Sequence, residues 1–230
     1  NHYGIAGYYS MMALEHDLIG FSMTNTAVLT VPTHGKDALM GTNPISIAVP
    51  AGKERPFVLD MGTSTVTRGK LEVYDREGKT MPNTWATDEF GRATQDVSRV
   101  LANLVGKKGG GLLPLGGAEE EDGGHKGYGL CLAVDILTGV LSGSAFGPGL
   151  YAKKDIPAKV SHFFGAIKLD AFIEPALFKR MMDEYINIIK HSEKAAGRDR
   201  IFIHGEKEFE LYEQQKEEVD IYYKVAEELR

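Results

Sequence analysis

Residues 55–64 read RPFVLDMGTS. Phe57–Met61 is an apolar run broken by one acid, and Gly62 with the hydroxyl residues behind it stops the run, so this is read as a β-strand ending in a turn. Asp60 at the strand end has two open readings. Its carboxylate suits a ribose hydroxyl or a ligand amide, and it equally suits a cap on the helix that follows.

Working outward, NPISIAVP (43–50) alternates as a second strand and LIGFSMTNT (18–26) as a third, running into a polar turn. GIAGYYSMMALEHD (4–17) has apolar residues at helical spacing. Downstream, Ser64 or Thr63 is placed to cap a helix through TVTRGKLEVYDREGK (65–79) that ends at Gly78. MPNTWATDEFGRAT (81–94) is turn-rich and is expected on the surface. Residues 106–129 hold ten glycines and the acidic run AEEED, a composition expected of a functional or mobile loop. YGLCLAVDILTGVLSG (128–143) is apolar all round, as in a buried central helix. SHFFGAIKL (161–169) reads as a strand. EPALFKRMMDEYINIIKHSEKAAG (174–197) reads as a helix with Pro175 in its first turn, Leu177, Met181, Tyr185 and Ile189 on one stripe, and Gly197 past its end. RIFIHGE (200–206) reads as a strand entering a glycine turn, and the remainder as mostly helical. The mixed order of strands and helices predicts an α/β or α+β architecture, without internal repeat or domain boundary across residues 1–230.

The 230 residues are 43% hydrophobic with a net charge of -6, enough for a sizeable core and against a nucleic-acid partner. The longest apolar runs fall short of the ~20 residues of a membrane span. A lone cysteine, Cys131, is expected as a small buried hydrophobe; it fits a reducing compartment, hence a cytoplasmic protein.

The stretch GGHKGYG (123–129) combines glycines, a helix start and the charge of Lys126, which suits a phosphate; a lysine merely facing water in a flexible loop is the alternative. Neither a P-loop nor a G-x-G-x-x-G after a strand is present. The seven histidines show no metal-ligand spacing. His16, His34 and His191 read as surface residues, and His162 as a strand residue with a backbone partner. His2 and His204 stand beside glycines at element ends, where imidazoles suited to moving a proton commonly face clefts.

Taken in series, NHYGIAGYY, IGFSMTNT, GTNPISIAVP, FVLDMGTSTVTRGK, GGLLPLGG, GGHKGYGLCLAVDILTGVLSG and IFIHGE resemble the malate/L-lactate dehydrogenase type 2 family across nearly the whole chain. That group includes sulfolactate and ureidoglycolate dehydrogenases. The resemblance implies a mixed α/β, non-Rossmann cofactor-binding fold and hydride exchange between a 2-hydroxy acid and NAD or NADP. Malate is the first expectation and lactate the second. It further implies a homodimer or higher homo-oligomer. By motif, His2 matches the proton acceptor. Thr26, Asp60, Met61, Gly62, Lys126, His204, Gly205 and Glu206 match cofactor-contacting positions, with Asn25 and His125 as neighbours; the family more often has proline where His204 stands. Family members carry a further segment before the N-H-[FY]-G motif that grips the substrate carboxylate. The chain is therefore expected to be the cofactor-binding and catalytic part of a longer dehydrogenase, the alternative being a catalytically impaired nucleotide-binding fragment.

Overall fold

A computed structural model describes residues 2–151, 157–216, 218 and 226–227. Its organising element is an antiparallel sheet of β1 (Leu18–Thr24), β2 (Ile45–Val49), β3 (Phe57–Met61) and β6 (His162–Lys168), in the order β3-β2-β1-β6. All four strands are ones that the sequence predicts. Antiparallel pairing throughout sets the sheet apart from a doubly wound parallel one, in keeping with the missing glycine fingerprint.

Alternation sorts each strand into two faces. One face carries Gly20, Ser22 and Thr24 from β1, Ser46 and Ala48 from β2, and Val58 and Asp60 from β3. These are small or polar residues, and the short helix α1 (Ala6–Met11) lies on them. The approach is so close that a Cβ at Gly20 would stand 1.9 Å from the Ser10 carbonyl oxygen, so only glycine fits. Ser10 and Ser46 share a 2.7 Å hydrogen bond across the contact. The helix is shorter than its apolar spacing suggested; its last turns tighten to a 3₁₀ segment, Met12–His16.

A second core lies beyond the sheet. Helices α2 (Arg68–Arg76) and α3 (Val97–Gly106) pack around Leu71, Met81, Ala86, Val97, Val100 and Leu112. The cap of α2 is Thr67, whose side chain accepts from Lys70 N, rather than Ser64 or Thr63. Those two belong to the preceding loop, where Thr63 Oγ1 donates to Thr42 O and Ser64 Oγ to Val66 O. Residues 81–94 lie only partly at the surface: Pro82, Asn83, Thr84, Phe90, Arg92 and Ala93 are exposed, the rest partly or fully covered. Met81 is 1% exposed, Trp85 packs on the cluster, and β4 (Ala86–Thr87) pairs with β5 (Gly111–Leu112). Turn-forming residues there bend the chain through the core's edge, with Asp88 accepting from Phe90 and Arg92 amides.

Helix α4 (Gly124–Asp135) runs on through a π-turn, Ile136–Val140. It is not buried on every face: Cys131 and Val134 are fully covered, while Leu132, Ile136, Val140 and Leu141 are exposed. Helix α5 (Pro175–His191) forms as its spacing predicts, but Leu177, Met181 and Tyr185 face out and Ile186 faces in. The attachment of α5 is polar. Asp183 accepts from the Gly52, Lys53 and Glu54 amides at 2.8–3.0 Å, and Asn187 and Lys190 reach Glu54. RIFIHGE is not a strand. It runs beside the open edge of β3, where Val58 N donates to His204 O at 2.9 Å, before α6 (Glu206–Gln214) begins. Part of the expected C-terminal helix lies outside the described residues. No helix among the described residues is long and apolar enough to cross a membrane.

Candidate active site

Everything converges on the two ends of β3. At its C-terminal end the chain leaves the sheet through Met61 and Gly62. Thr63 N and Oγ1 both donate to Thr42 O, at 2.8 and 3.1 Å, and Thr63 O accepts from Leu115 N at 2.9 Å. Leu115 in turn lies on the first turns of α4: a Cβ at Gly127 would stand 2.1 Å from Leu115 O, and one at Gly124 would stand 2.2 Å from Gly117 O. Two glycines of GGHKGYG thus serve chain-to-chain contact. They dock the α4 N-terminus against the loop that follows β3.

The ligand-facing features of that stretch are the others. Gly123, the α4 N-cap, has φ +86° and supplies no side-chain cap; Gly124 N donates to Glu119 O and Lys126 N to Gly123 O, each at 2.9 Å, so what the helix start offers an anion is its positive dipole end. Lys126 is exposed and folds its stem back, with Nζ 3.9 Å from the point a Gly123 Cβ would fill. An ammonium over the N-terminus of a 12-residue helix is an anion-binding arrangement. His125 is exposed beside it.

Thr26 enters through Thr42. Its hydroxyl accepts from Thr42 N at 2.9 Å, and its own amide donates to Asn43 Oδ1 at 3.0 Å. Asn43, absent from the sequence-based candidates, is fully buried at φ +29°, and its Nδ2 donates to Cys131 O on α4. It ties the Thr26 turn, the Thr42 turn and α4 together, and no local pattern in the sequence marks it. Asn25 is buried and points elsewhere: Nδ2 donates to Ala145 O at 3.1 Å, and Oδ1 accepts from Ser161 N at 2.9 Å. Cys131 is buried, which pushes its thiol up to about 11 and leaves it protonated at neutral pH.

Asp60 stands one residue before the strand's end. It does not cap the helix after it. Its Oδ2 accepts from Gly7 N at 2.6 Å, and so caps α1 from across the sheet. A Cβ at Gly7 would stand 2.9 Å from that oxygen, which is why a glycine is there. Burial pushes the Asp60 carboxyl above the ordinary carboxylate range; the Gly7 amide opposes this, and the charge of Glu208 adds to it. The helix so anchored is the one that follows His2.

His2 is exposed, and its Nδ1 accepts from Gly4 N at 3.0 Å. That contact selects the tautomer with its proton on Nε2. His162, expected to bond backbone, instead meets the side chain of Thr24, Nδ1 to Oγ1 at 2.8 Å. Burial holds its imidazole below the ordinary value.

The C-terminal candidates divide. His204 and Gly205 lie on β3 at Val58, with the His204 ring 5.6 Å from that of Phe57. Glu206 turns inward: it is 4% exposed, bonded to Lys190 at 2.8 Å, to Arg200 at 3.3 Å and to Ile203 N at 3.0 Å. Burial alone would raise its carboxyl, but Lys190, the Ile203 amide and Arg200 outweigh burial and hold it below the usual range. Its oxygens are spent on joining α5 to α6. Among the described residues no three of His, Cys, Asp and Glu gather as a metal site.

The profile of the malate/L-lactate dehydrogenase family matches residues 1–230. The chain is 49% identical over 230 residues to a malate dehydrogenase of Pyrococcus abyssi, covering 100% of this chain and 62% of that protein. It is 36% identical over 234 residues to a malate/(S)-sulfolactate dehydrogenase of Methanothermus fervidus, covering 100% of this chain and 63% of that protein. Among solved structures, malate dehydrogenase from Entamoeba histolytica superposes with a TM-score of 0.90 at 34% identity, over 96% of this chain and 61% of that one. Malate dehydrogenase from Pyrococcus horikoshii gives 0.85 at 46% identity, over 100% and 61%. The chain thus spans a little over three fifths of the length of the relatives it matches.

Proposed function

Since the chain belongs to the malate/L-lactate dehydrogenase family, we propose that it forms the cofactor-binding and catalytic part of an oxidoreductase moving hydride between a 2-hydroxy acid and NAD or NADP. Malate is the first substrate choice, in line with the names of the similar proteins, and lactate the second. The protein works in the cytoplasm as a homodimer or larger homo-oligomer.

One observation carries the reading. A single strand, β3, anchors the His2-bearing segment through Asp60 and Gly7, and its end is packed through Thr63 and Leu115 onto the helix that presents Lys126. A proton carrier and an anion-binding helix start are thereby set from one rigid element. The residues present fit a dinucleotide: the positive end of α4 and the Lys126 ammonium suit its phosphates, and Met61–Gly62, with Thr26 behind Thr42, borders the same place. The nicotinamide supplies the hydride chemistry when bound. In oxidation, neutral His2 accepts the proton of the substrate hydroxyl; in reduction, protonated His2 polarises the carbonyl and returns it. Imidazolium has no acceptor nitrogen, so the Gly4 contact is given up each time His2 takes a proton. His204 and Gly205 contact the nucleotide from the β3 edge. Glu206 acts there through its ion pairs, by fixing the turn that carries them.

The test is His2→Ala in the full-length native protein, followed by NADH titration and a malate and lactate panel with both nicotinamides. Turnover is expected to fall by orders of magnitude with NADH affinity retained. Unchanged turnover would overturn the assignment, and NADH binding without turnover of any 2-hydroxy acid by the parent would identify a nucleotide-binding protein instead.

A further inference from the structure

The residue after His2 is held by rings and hydrogen bonds from several sides. The Tyr3 ring stacks on Tyr9, with centroids 4.9 Å apart and planes at 6°, and on His162, at 4.3 Å and 9°. Phe164 tilts against both tyrosines. The Tyr3 hydroxyl shares a 2.9 Å hydrogen bond with Ser22 Oγ, and its carbonyl accepts from Tyr9 OH at 2.8 Å.

Each of these partners is itself fixed. Ser22 and Thr24 of β1 pair in register with Phe164 and His162 of β6, so the ring platform stands on a two-strand ladder. Thr24 holds His162 by its hydroxyl. Tyr9 rides on α1, which Asp60 and Ser46 pin to the sheet through Gly7 and Ser10. Three elements therefore determine where Tyr3 sits, while the adjoining His2 is exposed and bonds within its own turn. This combination fixes a backbone position and leaves an imidazole free to meet a substrate. Parallel ring pairs hold geometry without adding charge beside the group they position.

We propose that Tyr3 is a positioning residue for His2, and that its stack with Tyr9 and His162 sets the point at which His2 gives and takes the proton. The proposal rests on the reading of His2 as proton carrier. A misplacement near 1 Å in such a site costs roughly 100-fold in rate.

The test compares Tyr3→Ala, Tyr3→Phe and His162→Ala with His2→Ala in the full-length native protein, each read by kcat, substrate KM, NADH affinity and thermal melting. Tyr3→Ala is expected to lower kcat by roughly 100-fold with NADH affinity and KM near the parent values. Tyr3→Phe, which keeps the rings and loses only the Ser22 bond, should restore most of kcat. His162→Ala removes one ring from the sheet side and should lower kcat by less, again without changing NADH affinity; it serves also if Tyr3→Ala fails to melt cooperatively. Parent-like kcat in Tyr3→Ala or His162→Ala, beside an inactive His2→Ala, overturns the positioning role alone. So does a Tyr3→Phe as slow as Tyr3→Ala. An active His2→Ala overturns the reading beneath it.

Discussion

Two glycines on the same helix, two residues apart, should respond to the same substitution with opposite sign. At Gly127 an alanine Cβ would stand 2.1 Å from Leu115 O and 2.5 Å from Leu115 N, both backbone atoms. Relief requires the Leu115 strand of chain to retreat by about 1 Å, an overpacking that costs about 1–3 kcal/mol. Leu115 N is also the donor to Thr63 O, so the retreat weakens a backbone hydrogen bond worth about 1 kcal/mol. A fall in Tm of roughly 5–15 °C follows for a chain of this size. At Gly129 nothing lies within 4 Å of the added methyl and φ is not positive. Replacing a mid-helix glycine there should gain about 0.5–1 kcal/mol, or roughly 1–4 °C. Thermal unfolding followed by far-UV circular dichroism, with urea unfolding as a second measure, reads both variants. NADH titration adds the functional arm: Gly127→Ala shifts the α4 N-terminus against the β3 loop and should weaken binding, whereas Gly129→Ala should not. A Gly127→Ala variant that melts with or above the parent would refute the docking role given to that glycine.

Three further outcomes follow. Thr67→Ala removes the α2 cap that accepts from Lys70 N and should cost about 1 kcal/mol by urea unfolding, whereas Ser64→Ala leaves that cap intact. Arg99 forks onto Glu89 and, with the Glu89 amide and Asn103, holds its carboxyl at about 2. Because the folded value is depressed, the stabilisation is complete above the unfolded value of 4.5 and drains away as pH falls from there toward about 2. Glu89→Gln should therefore destabilise at neutral pH and flatten the acid limb of the stability profile; an unchanged limb would remove Glu89 from the account. Cys131 should resist a disulfide reagent at pH 8 in the native state and react fully in denaturant, since burial holds its thiol near 11.

Much of the frame could be read from the residues. β1 and β2 followed from alternation, β3 from an apolar run stopped at Gly62, β6 from its strand-like composition, and α5 from its proline start and apolar spacing. What periodicity did not reveal was which side of a helix meets the rest. The stripe of Leu177, Met181 and Tyr185 shares one face, yet α5 is fastened by the opposite, polar one through Asp183 and Lys190, because three backbone amides at 52–54 needed an acceptor. Local sequence also misassigned hydroxyls. Thr63 and Ser64 look like caps, but their partners are Thr42 and Val66, and a partner 21 residues away leaves no trace in spacing. The site candidates were found by motif, and their tasks are set by contacts. Asp60 serves α1, Glu206 serves α5 and α6, and two of the glycines around Lys126 serve Leu115 and Gly117. Asn43 and Tyr3 carry as much of the arrangement, but nothing local distinguishes an asparagine that bridges two loops from one that fills a turn.

Asn25 offers one more consequence. Its carboxamide takes a carbonyl at Ala145 with one end and an amide at Ser161 with the other, a donor–acceptor pairing that an ionised aspartate cannot reproduce. The two ends of the intervening chain are thereby held from outside it, so an asparagine that bridges both should resist replacement.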